Sequence, residues 1–345
     1  MAQLDSHLVS KPFGEVNVFP QSDGKCRVVA TILMPPADVE QAQTGLAIDA
    51  SKSMATAFGI GSAPPPFPQP ENIVEPVGNA IAEYLANFDS DGETSIIYWA
   101  CGKFGDDIEV LGDFQASAAA DFEFVAPKNM GTGTKLLPAI KYFTETRFRA
   151  QPWGIFLFIT DGIIEDLDEV KEYTREISLQ IASGQRGFVK LVIIGLGSEF
   201  FYKNSKTNET LSVDAAEGRL VELESDTNWF KSPAWSALEE LDDLDDDPTY
   251  GKICKEGGEP VDIWDHKLAS NMKSLEEIFA EPVQRSAIIS PTAEVIDSYG
   301  NPVESIDGCG FSNGLPARFE FLMPSSSTSF VLKLPGGVEF VQSLK

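Results

Sequence analysis

Three short segments of the sequence carry oxygen-bearing side chains at places where a metal ion could bind. In "DASKS", which follows an apolar run, Asp49, Ser51 and Ser53 occupy alternate positions, and alternate side chains of an extended segment face the same way. "GTGT" supplies Thr134 just before a helical pattern, and "FITDG" supplies Asp161 at the end of a strongly apolar run. Three hydroxyls and two carboxylates therefore stand at strand ends or helix starts.

The chemistry of this set favours a hard divalent cation. Hydroxyl and carboxylate oxygens, without sulfur or nitrogen, suit octahedral Mg²⁺ or Mn²⁺, and Ca²⁺ accepts the same ligands. In an open α/β sheet, ligands bind outside the carboxyl ends of the strands, where these segments would meet. With only two histidines in the chain, a zinc site or a histidine-based catalytic triad is not favoured. The sequence therefore predicts one metal site, formed by Asp49, Ser51, Ser53, Thr134 and Asp161.

Alternating strand and helix patterns predict the elements that would hold these residues. "TGLAIDA", "TSIIYWA", "WGIFLFIT" and "FVKLVIIGLG" are apolar runs typical of strands in a parallel sheet. Helical patterns separate or follow them in "NIVEPVGNAIAEYLANF", "KLLPAIKYFTETRF", "DLDEVKEYTREISLQIASG" and "KLASNMKSLEEIFAE". We therefore predict a doubly wound, mostly parallel α/β domain over residues 43–283.

The two ends of the chain have a different pattern. Residues 1–42 predict a β-hairpin, and residues 284–345 contain short strand patterns separated by turn signals such as "YGNP" and "PGG". We predict that both ends form one small β-sandwich, into which the α/β domain is inserted. Residues 198–232 form an insertion that would lie on the face of the metal site, and "GSAPPPFPQP" predicts a stiff, extended loop.

Composition restricts the function further. The 345 residues include 53 acidic and 26 basic ones, a net charge of −27, which disfavours binding to nucleic acid or to anionic membrane surfaces. The four cysteines are scattered, and the start of the chain lacks the basic-then-apolar pattern of a signal peptide. No apolar run is long enough to span a membrane. A cytoplasmic protein is therefore expected.

The order "DASKS", Thr134 and "TDG" resembles the DxSxS…T…D pattern of the von Willebrand factor A (vWA) family, whose metal-ion-dependent adhesion site is abbreviated MIDAS. All five positions of that pattern are filled, and the tail "VDIWDHKLASNMKSLEEIFAE" is similar to the ending of bacterial vWA proteins of the cytoplasmic type. The resemblance implies that Ser51, Ser53 and Thr134 contact the metal directly. It implies that Asp49 and Asp161 act largely through water, and that a partner protein's carboxylate completes the coordination.

Each part of the motif also has a simpler structural interpretation. Ser53 and Thr134 could cap helices, and Asp161 could begin a turn with Gly162. We expect Glu165, Asp166 and Asp168 to favour the start of a helix, His266 to seat the last helix, and the acidic run "LEELDDLDDDPTYG" to be a solvated helix end. The ordered combination of all five oxygen-bearing residues favours the metal site.

The leading hypothesis is a metal-dependent protein-interaction module without catalytic residues. One alternative is an adaptor for an AAA+ ATPase of the MoxR or chelatase type, or for a bacterial stress or conflict system. Another is a structural subunit that assembles through its C-terminal strands. An enzyme is disfavoured because "DASKS" lacks the second aspartate of a DxD motif, and no nearby lysine or histidine offers an obvious acid or base.

Overall fold

A computed structural model describes most of the chain and divides it into two compact units. One unit consists of residues 41–273, and the other combines residues 1–40 with 274–345. The described residues are 2–3, 9–10, 12–21, 24–32, 42–61, 70–89, 91–149, 153–216, 219, 223, 225–253, 261–270, 288–290, 292–306, 310–311, 315–316 and 318–344.

Strands outnumber helices among these residues. The strands are β1 (Ala2–Gln3), β2 (Phe13–Pro20), β3 (Lys25–Ile32), β4 (Ala42–Asp49), β5 (Glu93–Cys101), β6 (Asp107–Gln115), β7 (Trp153–Thr160), β8 (Phe188–Gly195), β9 (Phe201–Asn204), β10 (Thr210–Ser212), β11 (Trp229–Lys231), β12 (Trp264–Leu268), β13 (Ile288–Ser290), β14 (Glu294–Asp297), β15 (Glu304–Ser305), β16 (Leu315–Pro316), β17 (Arg318–Pro324), β18 (Ser329–Leu334) and β19 (Val338–Ser343). The helices are α1 (Val74–Phe88), α2 (Ala116–Ala120), α3 (Leu137–Lys141), α4 (Leu167–Ala182), α5 (Val213–Ala216) and α6 (Pro233–Asp242).

A six-stranded sheet with the order β12-β8-β7-β4-β5-β6 forms the centre of the unit 41–273. Every neighbouring pair in it is parallel except β5 and β6, which are antiparallel. The mixed α/β fold with a mostly parallel sheet, predicted from the alternating patterns, is therefore confirmed. Strand β4 lies between β7 and β5 and is parallel to both, so its carboxyl end is flanked by the carboxyl ends of these two strands.

Helices cover both faces of this sheet. Thr44 on β4 donates a hydrogen bond from its hydroxyl to the Leu85 carbonyl of α1 at 3.3 Å, which places α1 on the face of the even-numbered β4 residues. The opposite face packs with α3, α4 and α6 into one apolar cluster. Its residues from the central sheet include Ala47, Ile97, Trp99, Phe156, Phe158, Leu191 and Ile193.

Several element bounds differ from the sequence predictions. The helix predicted from "KLLPAIKYFTETRF" is α3 followed by a π-helical turn, Tyr142–Arg147, and α2 was not predicted. Strand β12 runs over Trp264–Leu268, because its backbone pairs in parallel with β8 and because Trp264 and Leu268 are buried. Lys267 and Leu268, predicted to begin the last helix, are therefore strand residues, and most of that helix lies outside the described residues.

The insertion at 198–232 has its own small sheet. Strands β10, β9 and β11 pair antiparallel in that order, and α5 follows β10 directly. Phe201 and Tyr202 begin β9 soon after β8 ends, so the insertion leaves the central sheet at the carboxyl end of a parallel strand. Most of the proline-rich loop lies outside the described residues.

The other unit joins the two ends of the chain. Strand β3 pairs antiparallel with β17 in a five-stranded sheet of order β1-β2-β3-β17-β15, while β14, β18 and β19 form a separate three-stranded sheet. An apolar cluster contains residues from both ends, among them Val16, Val28, Phe319, Phe321 and Phe330. Both ends therefore contribute to one sheet and one core, whereas the complete sandwich stays a prediction.

No helix in the described part of the chain is long and apolar enough to cross a membrane.

Candidate metal centre

The carboxylate of Asp49 is the most firmly held group of the predicted site, because both of its oxygens accept hydrogen bonds. Asp49 is the last residue of β4 and is completely buried. Its Oδ1 accepts a hydrogen bond from the Ser51 backbone N–H at 2.7 Å, and its Oδ2 accepts one from the Thr160 hydroxyl at 2.7 Å. The chain beyond it is held by a bond from the Ala50 N–H to the Trp99 carbonyl at 2.8 Å. Both carboxylate oxygens therefore have a fixed orientation.

A chain of hydroxyl hydrogen bonds runs from this buried end toward the surface. The Oγ atoms of Ser51 and Ser53 lie 2.9 Å apart, and the Ser53 hydroxyl donates to Oδ1 of Asp161 at 3.0 Å. Ser51 is buried, Ser53 is exposed and Asp161 is half-buried. Four of the five predicted ligands are thus brought together from two segments, with their oxygens at neighbouring positions.

Thr134 lies in a loop that is attached to the first segment by its backbone. The Lys52 N–H donates to the Gly131 carbonyl at 2.8 Å, and the Gly131 N–H donates to the Ala50 carbonyl at 3.0 Å. The Thr134 carbonyl accepts a hydrogen bond from the Glu165 N–H at 2.9 Å, which joins the same loop to the segment after Asp161. Thr134 is half-buried, and its hydroxyl does not belong to the hydrogen-bonded chain of the other four residues in the described structure.

Close backbone contacts explain why this loop contains several glycines. A Cβ on Gly131 would lie 2.0 Å from the Ala100 carbonyl oxygen, and one on Gly105 would lie 1.9 Å from the Gly133 carbonyl oxygen. Gly105 has a φ of +66° and Ala100 a φ of +54°, a region that alanine rarely adopts. The loop after β5 and the loop before α3 therefore pack so closely that Gly105 and Gly131 have no room for a Cβ atom.

The start of α3 is capped by Asp166 rather than by Thr134. The Asp166 carboxylate accepts hydrogen bonds from the Leu136 N–H at 2.8 Å and the Leu137 N–H at 3.0 Å. Ser53 also fails to act as a helix cap, because it lies inside the 3₁₀ turn Lys52–Ala55. The simpler interpretation of these hydroxyls as caps is therefore wrong. Asp166 is the N-cap residue of α4 and Asp168 lies in its first turn, as expected for residues that favour a helix start, while the Asp166 carboxylate bonds to the start of α3.

Burial governs the electrostatics of the two carboxylates. Removal from water raises the pKa of Asp49 to about 7; the hydrogen bonds from Ser51 and Thr160 act in the opposite direction, and Asp161 adds repulsion. Burial also raises the pKa of Asp161, against the hydrogen bond that Ser53 donates. A divalent cation beside these groups would favour their ionised forms. The oxygen-only donor set and the fully engaged Asp49 carboxylate fit a hard cation that Asp49 would reach through water.

A second group of ligand-type side chains lies elsewhere in the unit. Asp242, Asp265 and His266 each place one ligand-type atom within 4.8 Å of the other two. His266 Nδ1 is 2.9 Å from Asp242 Oδ2, and the His266 ring packs edge-on against the Trp235 ring with 4.8 Å between the ring centres. The Lys267 ammonium is 3.6 Å from Asp265 Oδ1. His266 therefore attaches α6 to β12, whereas the predicted contact with the last helix lies outside the described residues.

The acidic run after α6 fits the predicted helix end. It begins in the last turn of α6 and continues as the 3₁₀ turn Asp243–Asp246. The Asp247 carboxylate accepts hydrogen bonds from the Thr249 N–H at 2.8 Å and the Tyr250 N–H at 3.0 Å, as a turn-forming aspartate does. These contacts give the acidic run a local structural role.

No protein-family model matches the sequence, and no curated protein is significantly similar to it. Among solved structures, the ArnB paralog VWA2 from Sulfolobus acidocaldarius is 14% identical, with 98% of this chain and 76% of that chain covered and a TM-score of 0.32. The PilB minor pilin from Streptococcus sanguinis is 10% identical (77% and 74% covered, TM-score 0.36), and the pilus adhesin SpaC from Lactobacillus rhamnosus GG is 11% identical (96% and 47% covered, TM-score 0.25). These scores are too low to support an argument about fold or function.

Proposed function

We propose that the protein is a cytoplasmic, metal-dependent protein-binding module of the vWA type. The observation that supports this proposal best is the hydrogen-bonded chain Asp49–Ser51–Ser53–Asp161, which gathers hard oxygen ligands at the carboxyl end of the central strand. Ligands of open α/β sheets bind at this edge. The cation would be Mg²⁺, Mn²⁺ or Ca²⁺, since all three accept such oxygens.

In this proposal the five residues have different tasks. Ser51, Ser53 and Thr134 supply neutral hydroxyl ligands, so the metal keeps most of its positive charge. Asp49 and Asp161 balance part of that charge, largely through bound water. A carboxylate from a partner protein then completes the coordination, because the cation is left short of anionic ligands. The positive metal also offsets the repulsion that a chain of net charge −27 would exert on an acidic partner.

Metal binding is tested first, with the metal alone. Calorimetry of the full chain with Mg²⁺ or Mn²⁺ should show one site, and Ser53→Ala and Asp161→Asn should weaken it at least tenfold. Both side chains are accessible, so their loss tests binding without opening the core. Ser183→Ala and Asp243→Asn, which remove the same groups from exposed positions elsewhere in the unit, should leave the affinity unchanged. Equal affinities for all five proteins would refute the site.

Partner capture is tested second. The immobilised full chain should retain a protein from native lysate in Mg²⁺ and release it in EDTA, and Ser53→Ala should retain none. The Ser183→Ala protein should behave like wild type. Retention that survives both EDTA and Ser53→Ala would rule out a metal-dependent interaction. The adaptor and assembly alternatives stay predictions, since no contact among the described residues favours either of them.

A further inference from the structure

Three ligand-type side chains meet between α6 and β12, at a place that the proposed function does not use. Asp242 is the last residue of α6, and Asp265 and His266 are consecutive residues of β12. One oxygen or nitrogen atom of each residue lies within 4.8 Å of those of the other two. Strand β12 lies at one edge of the central sheet, beside β8. The three side chains therefore connect a helix to an edge strand.

The group combines one imidazole with two carboxylates. Imidazole nitrogen and carboxylate oxygen together are ligands of Zn²⁺ and similar transition-metal ions, whereas Mg²⁺ and Ca²⁺ prefer oxygen alone. The donor set thus differs from that of the candidate metal centre, whose five predicted ligands all offer oxygen. The small number of histidines disfavours a zinc site from the sequence, but a site of this composition needs only one histidine.

Burial and charge favour a cation among these groups. Asp265 is 5% exposed, and Asp242 and His266 are half-buried. Two carboxylates that lie this close together and are partly removed from water repel each other unless positive charge stands near both. The Lys267 ammonium, 3.6 Å from Asp265 Oδ1, supplies such charge to one of them. A divalent ion among the three ligand atoms would neutralise both carboxylates together.

The separations of the ligand atoms suit a single ion. A four-coordinate Zn²⁺ with ligands at about 2.1 Å places those ligands about 3.4 Å from one another. The separations here are at most 4.8 Å, and His266 Nδ1 is 2.9 Å from Asp242 Oδ2. The longest of them would have to shorten by about 1.4 Å, which rotation of one side chain can provide. The backbone of α6 and β12 can therefore stay in place.

A neighbouring indole indicates a further ligand. The Trp235 ring packs edge-on against the His266 ring, with 4.8 Å between the ring centres. Trp235 is 8% exposed, and its Nε1–H finds no hydrogen-bond acceptor in the part of the chain that the structure describes. Buried donors in folded proteins normally have an acceptor, either a protein group or bound water. A water molecule in the fourth position of a metal site with three protein ligands would supply one.

We propose that Asp242, Asp265 and His266 form a second metal site, which takes a transition-metal ion of the Zn²⁺ type. The three side chains bind the ion, and a water molecule near the Trp235 N–H completes its coordination. The ion links the end of α6 to β12 and so stabilises the edge of the central sheet. The proposal depends neither on the Mg²⁺ site nor on partner binding.

Zn²⁺ binding to the full chain tests this site, with saturating Mg²⁺ present to occupy the other candidate centre. Calorimetry should show one Zn²⁺ site, and His266→Gln, Asp242→Asn and Asp265→Asn should each weaken it at least tenfold. His7→Gln and Asp243→Asn should leave the affinity unchanged, since they remove the other histidine and an exposed aspartate beside Asp242. Equal affinity in wild type and His266→Gln would mean that the ion binds elsewhere and would overturn the proposal.

Unfolding in urea separates metal binding from damage to the fold. Zn²⁺ should raise the unfolding midpoint of the wild type and of Asp243→Asn, but not that of His266→Gln. Co²⁺ in place of Zn²⁺ should give the strong visible absorption of a four-coordinate ion, whereas six-coordinate Co²⁺ in an oxygen-only site absorbs weakly. A wild-type midpoint that Zn²⁺ leaves unchanged would show that His266 only bonds β12 to α6, which also overturns the proposal. Neither of these results would affect the proposed Mg²⁺ site.

Discussion

Replacing Thr160 by valine tests the reasoning about the candidate metal centre most directly. The Thr160 hydroxyl donates to the buried Oδ2 of Asp49 at 2.7 Å, and valine keeps the shape of the side chain but not the donor. A hydrogen bond to a charged group contributes about 1.5–3 kcal/mol, and loss of a group that orients a metal ligand lowers metal affinity by about 10–100-fold. We therefore expect Thr160→Val to lower both the free energy of unfolding and the affinity for Mg²⁺.

The two effects separate in denaturant unfolding measured with and without Mg²⁺. At a Mg²⁺ concentration of about 100 times the wild-type Kd, binding stabilises the wild type by about 2.7 kcal/mol. A variant with tenfold weaker binding gains only about 1.4 kcal/mol at the same concentration. Tryptophan fluorescence is a suitable probe because all five tryptophans lie in the unit 41–273, at Trp99, Trp153, Trp229, Trp235 and Trp264.

A matched substitution shows which outcome is specific to the site. Thr144 is as completely buried as Thr160; its hydroxyl donates to the Ile140 carbonyl at 2.8 Å and lies 2.7 Å from the Tyr173 hydroxyl. Thr144→Val should lower the free energy of unfolding but retain the full stabilisation by Mg²⁺. If Thr160→Val retained that full stabilisation as well, the claim that Thr160 orients Asp49 for metal binding would be refuted.

Further predictions concern the loops around the site. Asp166→Ala removes the acceptor for the first N–H groups of α3 and should lower the free energy of unfolding by about 1–2 kcal/mol in the same fluorescence assay; an unchanged midpoint would contradict its capping role. Gly105→Ala should reduce Mg²⁺ affinity in calorimetry, since its Cβ would meet the Gly133 carbonyl. Gly184→Ala, which also has a positive φ but open space around it, should leave that affinity unchanged, and an equal loss in both variants would point to backbone strain rather than to the loop contact.

The buried strands of the central sheet were predictable because their sequences are continuous apolar runs. "WGIFLFIT" and "FVKLVIIG" are continuous apolar segments, as expected for strands covered on both faces, and they form β7 and β8. Gly184 follows α4 with a positive φ, as its position after the helical pattern predicts. The register of β12 was not predictable, because "WDHKL" becomes a strand only through pairing with β8.

Residues that support the candidate site were missed for a related reason. The Thr160 hydroxyl contacts Asp49, which lies 111 positions earlier in the sequence, and Asp166 caps a helix that begins 29 positions earlier. Neither contact has a local pattern, since each depends on which strand ends and loops are neighbours in the folded chain. The five predicted ligands were chosen because each follows a strong apolar run or precedes a helical pattern in the sequence. Their ligation of a metal stays a prediction.

The structure also separates residues that organise the candidate site from those that an incoming cation can reach. Both oxygens of Asp49 are engaged inside the protein, by Ser51 and Thr160, so a change at Asp49 disturbs folding and binding together. Ser53 and Asp161 are accessible at the outer end of the same hydrogen-bonded chain, so removing their oxygens alters the ligand set at little cost to the core. Loss of metal affinity in Ser53→Ala with an unchanged unfolding midpoint in EDTA would therefore identify a binding role, which no result with Asp49→Ala alone can do.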